Sequence, residues 1–476
     1  PSAGANAGLN PWEPLFISYI VNAERQLLDG VPHRLRARFR TAKERRRWNW
    51  HFVEHHLAHE ASAFLPSPFA DAAVLTLDGR GEKTATSYGH FASGTYRRLK
   101  QVPLPSSLGL LYEQVTDYLG FLRSSDEYKV MALASYGKPT YADWFRDLVE
   151  LTGEGGYVVH PARLEHRFGP PRLRGAPLTR EHFDIARSLQ AVLEETVGQL
   201  ARWLRAATGS RNLCMAGGVA LNCVLNGRLR EQRIFERIFV QPAAGDAGTA
   251  LGAALWIDWG DGARERRFCM EHAYLGPEFS DDEIEAELKR SKQKYRRVAD
   301  VANETAALLA DERIVGWFQG RMEFGPRALG ARSILASPLR ADMQQRLNEI
   351  KDREDFRPVA PAVLEEAAAE WFVGAERAPF MLFVFEVAPG KAHLIPAVRH
   401  VDGTARVQTV GAHEQPRYYE VLKAFERRTG VPVLVNTSFN SRGEPVVCTP
   451  RDALESFWST PLDALAIGSF IIEKPP

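Results

Sequence analysis

Residues 72–82 read AAVLTLDGRGE, and residues 212–222 read NLCMAGGVALN. In each, a short apolar run without polar alternation gives way to glycine, the pattern of a buried strand entering a tight turn. Upstream of the second stretch, Ile185, Leu189, Leu193, Val197, Leu200 and Leu204 recur every three or four residues. That spacing predicts an amphipathic helix, which Gly209 stops. Downstream, Arg237 to Gln241 reads as a further strand, and Gly245-Asp246-Ala247-Gly248 opens a helix of small residues. Strand, glycine turn and helix recurring in this order predict an α/β fold. Ligands in such folds sit at the carboxyl ends of the strands.

At 476 residues the chain is too long for one ordinary domain and predicts two or three. The charged stretch Glu278 to Arg297 reads as a junction between residues 1–277 and 278–476. Beyond it, a helix (Ala302 to Leu309) and a strand (Ile314 to Phe318) open a second α/β unit. Sixty Lys and Arg against 59 Asp and Glu leave a formal charge of +1, so no global field draws nucleic acid or anionic lipid. One basic run, HRLRARFRTAKERRR from His33 to Arg47, reads as a solvated helix face. Cys214, Cys223, Cys269 and Cys448 form no CxxC pair, which excludes a disulfide framework and a cysteine zinc site. Without a signal-peptide profile or an apolar run near the roughly 18 residues a membrane span needs, the expectation is a soluble cytoplasmic protein.

Two groups of residues carry chemistry. His55 and His59 lie four apart, so a helix presents both imidazoles on one face. Asp78 ends the strand at 72–77, and Asp246 opens the small-residue helix. Two histidines and two aspartates make a mixed nitrogen and oxygen shell that suits Fe(II), Mn(II) or Zn(II), and the residues do not choose among them. The motif is not HExxH, because residue 56 is His, so a metallopeptidase lacks its base. Gly79 and Gly81, and then Gly217, Gly218 and Asn222, form glycine turns suited to phosphate or ribose, though neither is a P-loop or a GxGxxG motif. The second group is cationic: Arg321, Arg327 and Arg332, then Lys351, Arg353, Arg357 and Arg406, with Asn436 and Ser438 after a late apolar strand. Arginine forks beside Ser and Asn suit a small phosphate-bearing substrate. Arg353 reads as a surface partner of Asp352, Glu354 and Asp355, and Arg332 as a structural arginine.

The stretches EHHLAHEASAF, LDGRGE, GGVALN, AAGDAGTALGAA, GRMEFGPRALGARSI, REDFRPVAP and LVNTSFN together resemble the O-carbamoyltransferases of antibiotic and nodulation-factor biosynthesis. The resemblance implies an actin-like ATPase domain of the tRNA threonylcarbamoyl-transfer type over residues 1–277. A smaller α/β domain that handles carbamoyl phosphate would follow over 278–476. It implies that ATP and carbamoyl phosphate form carbamoyladenylate, whose carbamoyl group passes to a hydroxyl of a small molecule such as a sugar or macrocycle. On that reading His55, His59, Asp78 and Asp246 hold the metal, expected to be Fe(II), with Mn(II), Zn(II) and Mg(II) as alternatives. Gly79, Gly81, Gly217, Gly218 and Asn222 meet ATP, and Arg327, Lys351, Arg357, Arg406, Asn436 and Ser438 hold carbamoyl phosphate. His55, His59, Lys351 and Arg357 are the catalytic candidates.

Members of that family open with a β-rich segment carrying Gly-x-Ser…His-Asp-Ser-Ala, whose histidine is expected to deprotonate the acceptor. This sequence starts at Pro1 in a helical pattern without the motif, so an incomplete first sheet and a missing base are expected. Two other readings compete: a tRNA threonylcarbamoyl-transfer protein, disfavoured by the even charge, and a catalytically incomplete nucleotide-binding partner.

Overall fold

The computed structural model describes residues 51–261 and 265–474; the basic run at 33–47 lies outside them. Two sheets organise the chain, one built from residues 72–240 and one from 296–473. The α/β class is as expected.

The first sheet runs β3-β2-β1-β6-β7, with β1 at Ala72–Leu77, β2 at Thr84–Ala92, β3 at Thr95–Pro103, β6 at Asn212–Ala216 and β7 at Arg237–Val240. Between β3 and β6 the chain forms a separate hairpin of β4 (Val149–Gly153) and β5 (Gly156–Val159). Every residue of β1 is buried, which explains its unbroken apolar run. β1, β6 and β7 are parallel, with Thr76 opposite Ala216 and Met215 opposite Val240. Their carboxyl ends therefore share one edge, and the turns holding Asp78, Gly217 and Asp246 emerge there. Gly217 allows that crowding: its φ is +90°, and a Cβ would lie 2.1 Å from the Leu77 carbonyl oxygen.

Five helices of the first unit matter to the sites: α1 (His55–Phe64), α2 (Glu127–Ala134), α3 (Arg180–Thr208), α4 (Cys223–Glu231) and α5 (Ala247–Asp261). The long α3 buries Ile185, Leu189, Leu193, Val197, Leu200 and Leu204, and ends at Gly209 as its periodicity predicts. α1 packs directly on α5. Gly252 makes the approach possible, since a Cβ there would meet the Ala58 carbonyl oxygen at 1.7 Å.

The second sheet has the order β14-β11-β15-β10-β9-β16-β17-β8. In chain order these are β8 (Arg296–Arg297), β9 (Val315–Phe318), β10 (Arg332–Ala336), β11 (Ala360–Leu364), β14 (Gln408–Val410), β15 (Val433–Ser438), β16 (Ala464–Ile467) and β17 (Phe470–Glu473). A short ribbon pairs β12 (Val384–Glu386) with β13 (Thr404–Arg406). The charged stretch at 278–297 is not a bare linker. Ser280 and Glu283 form a capping box, and helix α6 (Asp281–Arg290) buries Ile284 and Leu288 in the second core. Two apolar residues four apart are enough to dock a helix whose other face is solvated.

The two units interlock. Leu382 joins the first unit's core, and buried Asn226 donates to its carbonyl at 3.0 Å. The Lys129 ammonium meets Glu354 at 2.8 Å, and the Tyr136 hydroxyl donates to the Phe356 carbonyl. Among the described residues, no helix is long and apolar enough to cross a membrane.

Candidate active site

At the shared edge of the first sheet, His55 and His59 come from successive turns of α1, with their Nε2 atoms 3.1 Å apart. Asp78 Oδ2 lies 3.0 Å from His55 Nε2 and 3.7 Å from His59 Nε2, and Asp246 Oδ1 lies 3.6 Å from each. All four donor atoms fall within 4.8 Å of one another. His59 is fully buried and Asp78 nearly so, whereas the Asp246 side chain is 80% exposed, leaving one side open. The other oxygen of Asp78 accepts the Gly218 N–H at 2.9 Å, which fixes the carboxylate.

The electrostatics of the cluster favour a cation. Burial pushes His59 down, but Asp246 and Asp78 outweigh it and hold the imidazole at about 9. Burial would raise Asp78, yet His55, His59 and the Gly218 N–H hold it well below the usual carboxylate range. Neighbouring His56 is kept neutral by burial, at about 4. Two nitrogens and two carboxylates around one point fit a divalent ion.

The glycine turns are used internally. The Gly81 N–H donates to the Thr84 carbonyl, that of Gly217 to Ala244, and that of Gly218 to Asp78. A Cβ on Gly81 would strike the His56 ring at 2.6 Å, while Gly79 faces open space. Asn222 caps α4 by accepting the Leu225 N–H, and its amide donates to buried Gln190 at 2.8 Å. The N–H groups of Gly81, Gly217 and Gly218 are thus spent within the protein, that of Gly218 on Asp78 itself.

A second site lies where the two units meet. A cavity is lined by Arg327, Arg353, Arg357, Arg406 and His400 of the second unit, and by Tyr128, Met131 and Cys223 of the first. No carboxylate lines it. Arg357 stacks on the Tyr128 ring at 4.8 Å and meets Glu354 at 3.5 Å. Arg327 Nε, Arg353 Nη2 and Arg406 Nε are buried without a hydrogen-bond partner. Burial, reinforced by Arg406 in one case and by Arg357 and Arg406 in the other, pushes Arg327 and Arg353 down to about 9. Unpaired guanidinium donors in a low-dielectric hollow call for an anion.

Arg353 therefore departs from the surface ion pair expected of it. Its Nε is held by Asn348 Oδ1 at 2.7 Å, and its fork lines the cavity. Lys351 is not among the lining residues. Its ammonium is buried against the Ser438 carbonyl (2.6 Å), the Asn440 carbonyl and the Asn440 side chain (both 2.8 Å). The Ser438 hydroxyl donates to Asn440 Oδ1, and Asn436 donates to Gln408 Oε1 from inside the sheet. Arg332 is structural, as expected. It is fully buried, stacks on Phe318 and donates to the carbonyls of Gln319, Gly320 and Pro277. Exposed Arg321 is tied to Leu275 and Gly276. Two residues placed at this site escaped the sequence reading. Glu323 accepts the N–H groups of Leu329, Ala331 and Arg332 on one oxygen, shaping the loop that carries Arg327. His400 lies on a turn that no pattern marked.

The same two-part division appears in comparisons with known proteins. Residues 18–255 match the family model described as Carbamoyltransferase N-terminus, and residues 306–474 the one described as Carbamoyltransferase C-terminus. An uncharacterized protein of Synechocystis sp. is 43% identical over 468 residues, covering 89% of this chain and 76% of that one. Nodulation protein NolO of Bradyrhizobium diazoefficiens is 43% identical over 89% of this chain and 79% of its own length. Nodulation protein NolNO of Sinorhizobium fredii is 46% identical over 89% of this chain, which spans 64% of that protein. With both halves matched in order, this chain belongs to the carbamoyltransferase family.

Proposed function

We propose that this enzyme is an ATP-dependent O-carbamoyltransferase that takes carbamoyl phosphate as donor and a hydroxyl-bearing small molecule as acceptor. The observation that carries the reading is the cavity at the unit junction, where four arginines meet, three of them with a buried N–H group unpaired, and where no carboxylate lines the wall. A small acyl phosphate satisfies that arrangement, and a neutral ligand leaves it unsatisfied. Arg327, Arg353, Arg357 and Arg406 hold the phosphate. Lys351 acts at one remove, fixing the 438–440 loop through which Asn436 and Ser438 shape the site.

Carbamoyl phosphate and water give carbamate and inorganic phosphate. A carbamate oxygen then bonds to the α-phosphorus of ATP and pyrophosphate leaves, forming carbamoyladenylate. Finally the acceptor oxygen bonds to the carbonyl carbon, AMP leaves, and the hydroxyl proton goes to a base. Free carbamate reverts easily to carbon dioxide and ammonia, so a cavity between the two units serves the chemistry by holding carbamate until ATP captures it.

His55, His59, Asp78 and Asp246 hold the divalent ion, with Fe(II) the first candidate. When bound, such an ion neutralises phosphate charge and polarises a carbonyl oxygen. The glycine floor at 79–81 and 217–218 gives ATP room beside it. The test is to incubate the protein with ATP, carbamoyl phosphate, Fe(II) and a panel of sugars and macrocyclic alcohols, and to look for acceptors heavier by one carbamoyl group. A carbamate on an acceptor hydroxyl, lost when carbamoyl phosphate is omitted, is the expected result. Modification with ATP alone would contradict the reading.

A further inference from the structure

The arginine cavity contains one nitrogen of opposite character. Every guanidinium nitrogen in its wall can only donate. His400 also lines it, and His400 Nε2 is buried without a partner.

The surrounding turn fixes which way that nitrogen acts. The Thr404 hydroxyl donates to Asp402 Oδ1 at 2.8 Å, because a carboxylate offers only lone pairs. With its proton committed, Thr404 Oγ1 can only accept from His400 Nδ1, 3.4 Å away. Separately, the His400 backbone N–H donates to the Thr404 carbonyl at 2.8 Å and closes the turn that holds the ring in place. Nδ1 therefore carries the ring proton and Nε2 a lone pair. Burial keeps the ring neutral against the pull of Asp402, with Arg406 adding to the effect.

Carbamoyl phosphate has the complementary pattern. Its phosphate and carbonyl oxygens accept, and its one donor is the NH₂ group. An acyl phosphate of the same shape, with methyl in place of NH₂, has no donor at all. We propose that His400 Nε2 accepts an N–H of the carbamoyl group and so makes His400 the residue that selects a carbamoyl donor over an isosteric acyl one. This rests on the reading of the cavity as the carbamoyl phosphate site. The arginines supply affinity for the phosphate; His400 supplies the identity of the group attached to it. Leaving the buried Nε2 unpaired beside a methyl should cost about tenfold to a hundredfold in binding.

Two stable phosphonates isolate the difference: phosphonoacetamide, which has NH₂, and acetonylphosphonate, which has CH₃ in its place. Their dissociation constants, with that of inorganic phosphate, are measured by calorimetry on the intact protein and on His400→Leu and His400→Gln. The wild type is expected to bind the amide about tenfold or more tighter than the ketone. His400→Leu should bring the ratio near one while phosphate affinity stays within about twofold. His400→Gln, whose amide oxygen can accept, should recover part of the preference. Equal binding of the two phosphonates by the wild type, or a ratio unmoved in His400→Leu, would overturn the assignment and leave the anion pocket standing. If His400→Leu loses phosphate as well, the glutamine variant decides: a ratio lost there with phosphate retained sinks the idea, and a ratio kept upholds it. A wild type that binds none of the three removes the pocket reading itself, and this inference with it.

Discussion

Arg353 and Asn348 are joined by a 2.7 Å hydrogen bond from guanidinium Nε to amide Oδ1. The amide in turn donates to the carbonyls of Asp355 and Arg357. Asn348 thus fixes both the arginine and the backbone that carries its neighbour, leaving Arg353 Nη2 for a ligand.

Arg353→Ala should therefore raise the KM for carbamoyl phosphate about tenfold to a hundredfold, the usual worth of a charge-assisted bond to phosphate, without changing ATP affinity. Asn348→Ala, which leaves the cation but loosens it, should have the same direction and a smaller size. Steady-state kinetics with each substrate varied in turn checks both.

Lys351 should behave differently. Burial, then Arg353 and Arg357, push its ammonium far below the usual lysine range, and its hydrogen bonds all go to protein oxygens. Lys351→Met should destabilise the fold by about 2–4 kcal/mol by leaving buried acceptors unpaired. Denaturant melts of the variant and the wild type give that number. A large rise in KM with unchanged stability would return Lys351 to the substrate.

The contrast between these cations marks where sequence reading stops. In KDREDFR the three basic residues look equivalent, interleaved with acids. The backbone separates them: helix α7 (Met343–Ile350) ends before Lys351, and Asp352 takes a φ of +43°. That reversal sends Lys351 under the 438–440 loop and Arg353 into the cavity. An Asp tolerates left-handed backbone, but nothing local states that it adopts it. By contrast, Asp78 and the HxxxH pair were legible, because a carboxylate after a buried strand and two imidazoles one turn apart follow from element periodicity alone. The partners of Asn222 and the role of His400 depend on contacts between distant segments, which no local pattern encodes.

Removing metal should lower thermal stability. An ion at 100 times its Kd stabilises by about 2.7 kcal/mol, so adding Fe(II) or Mn(II) to chelator-treated protein should raise Tm. His59→Ala should abolish both that rise and turnover. Calorimetric melts with and without metal provide the measurement.

Acid should weaken the fold through His400. Its pKa is lowered from 6.5 to about 4 in the folded state, so the unfolded chain binds the proton first as pH falls. Its contribution is intact above pH 6.5 and is lost progressively toward about 4. The slope of stability against pH across that window should be shallower in His400→Leu, as chemical denaturation at several pH values would reveal.

Gly252→Ala should push α1 away from α5, since the added Cβ would sit 1.7 Å from the Ala58 carbonyl oxygen. Because α1 carries His55 and His59, metal affinity and stability should fall together, the latter by about 1–3 kcal/mol. A metal titration followed by melting tests the pairing of the two losses.

The central claim is that this chain activates a carbamoyl group with ATP, and it is tested most directly by pyrophosphate release from metal-loaded protein without any acceptor. Release that requires carbamoyl phosphate and disappears in Arg357→Ala is the predicted result. Release at the same rate with carbamoyl phosphate absent would contradict it.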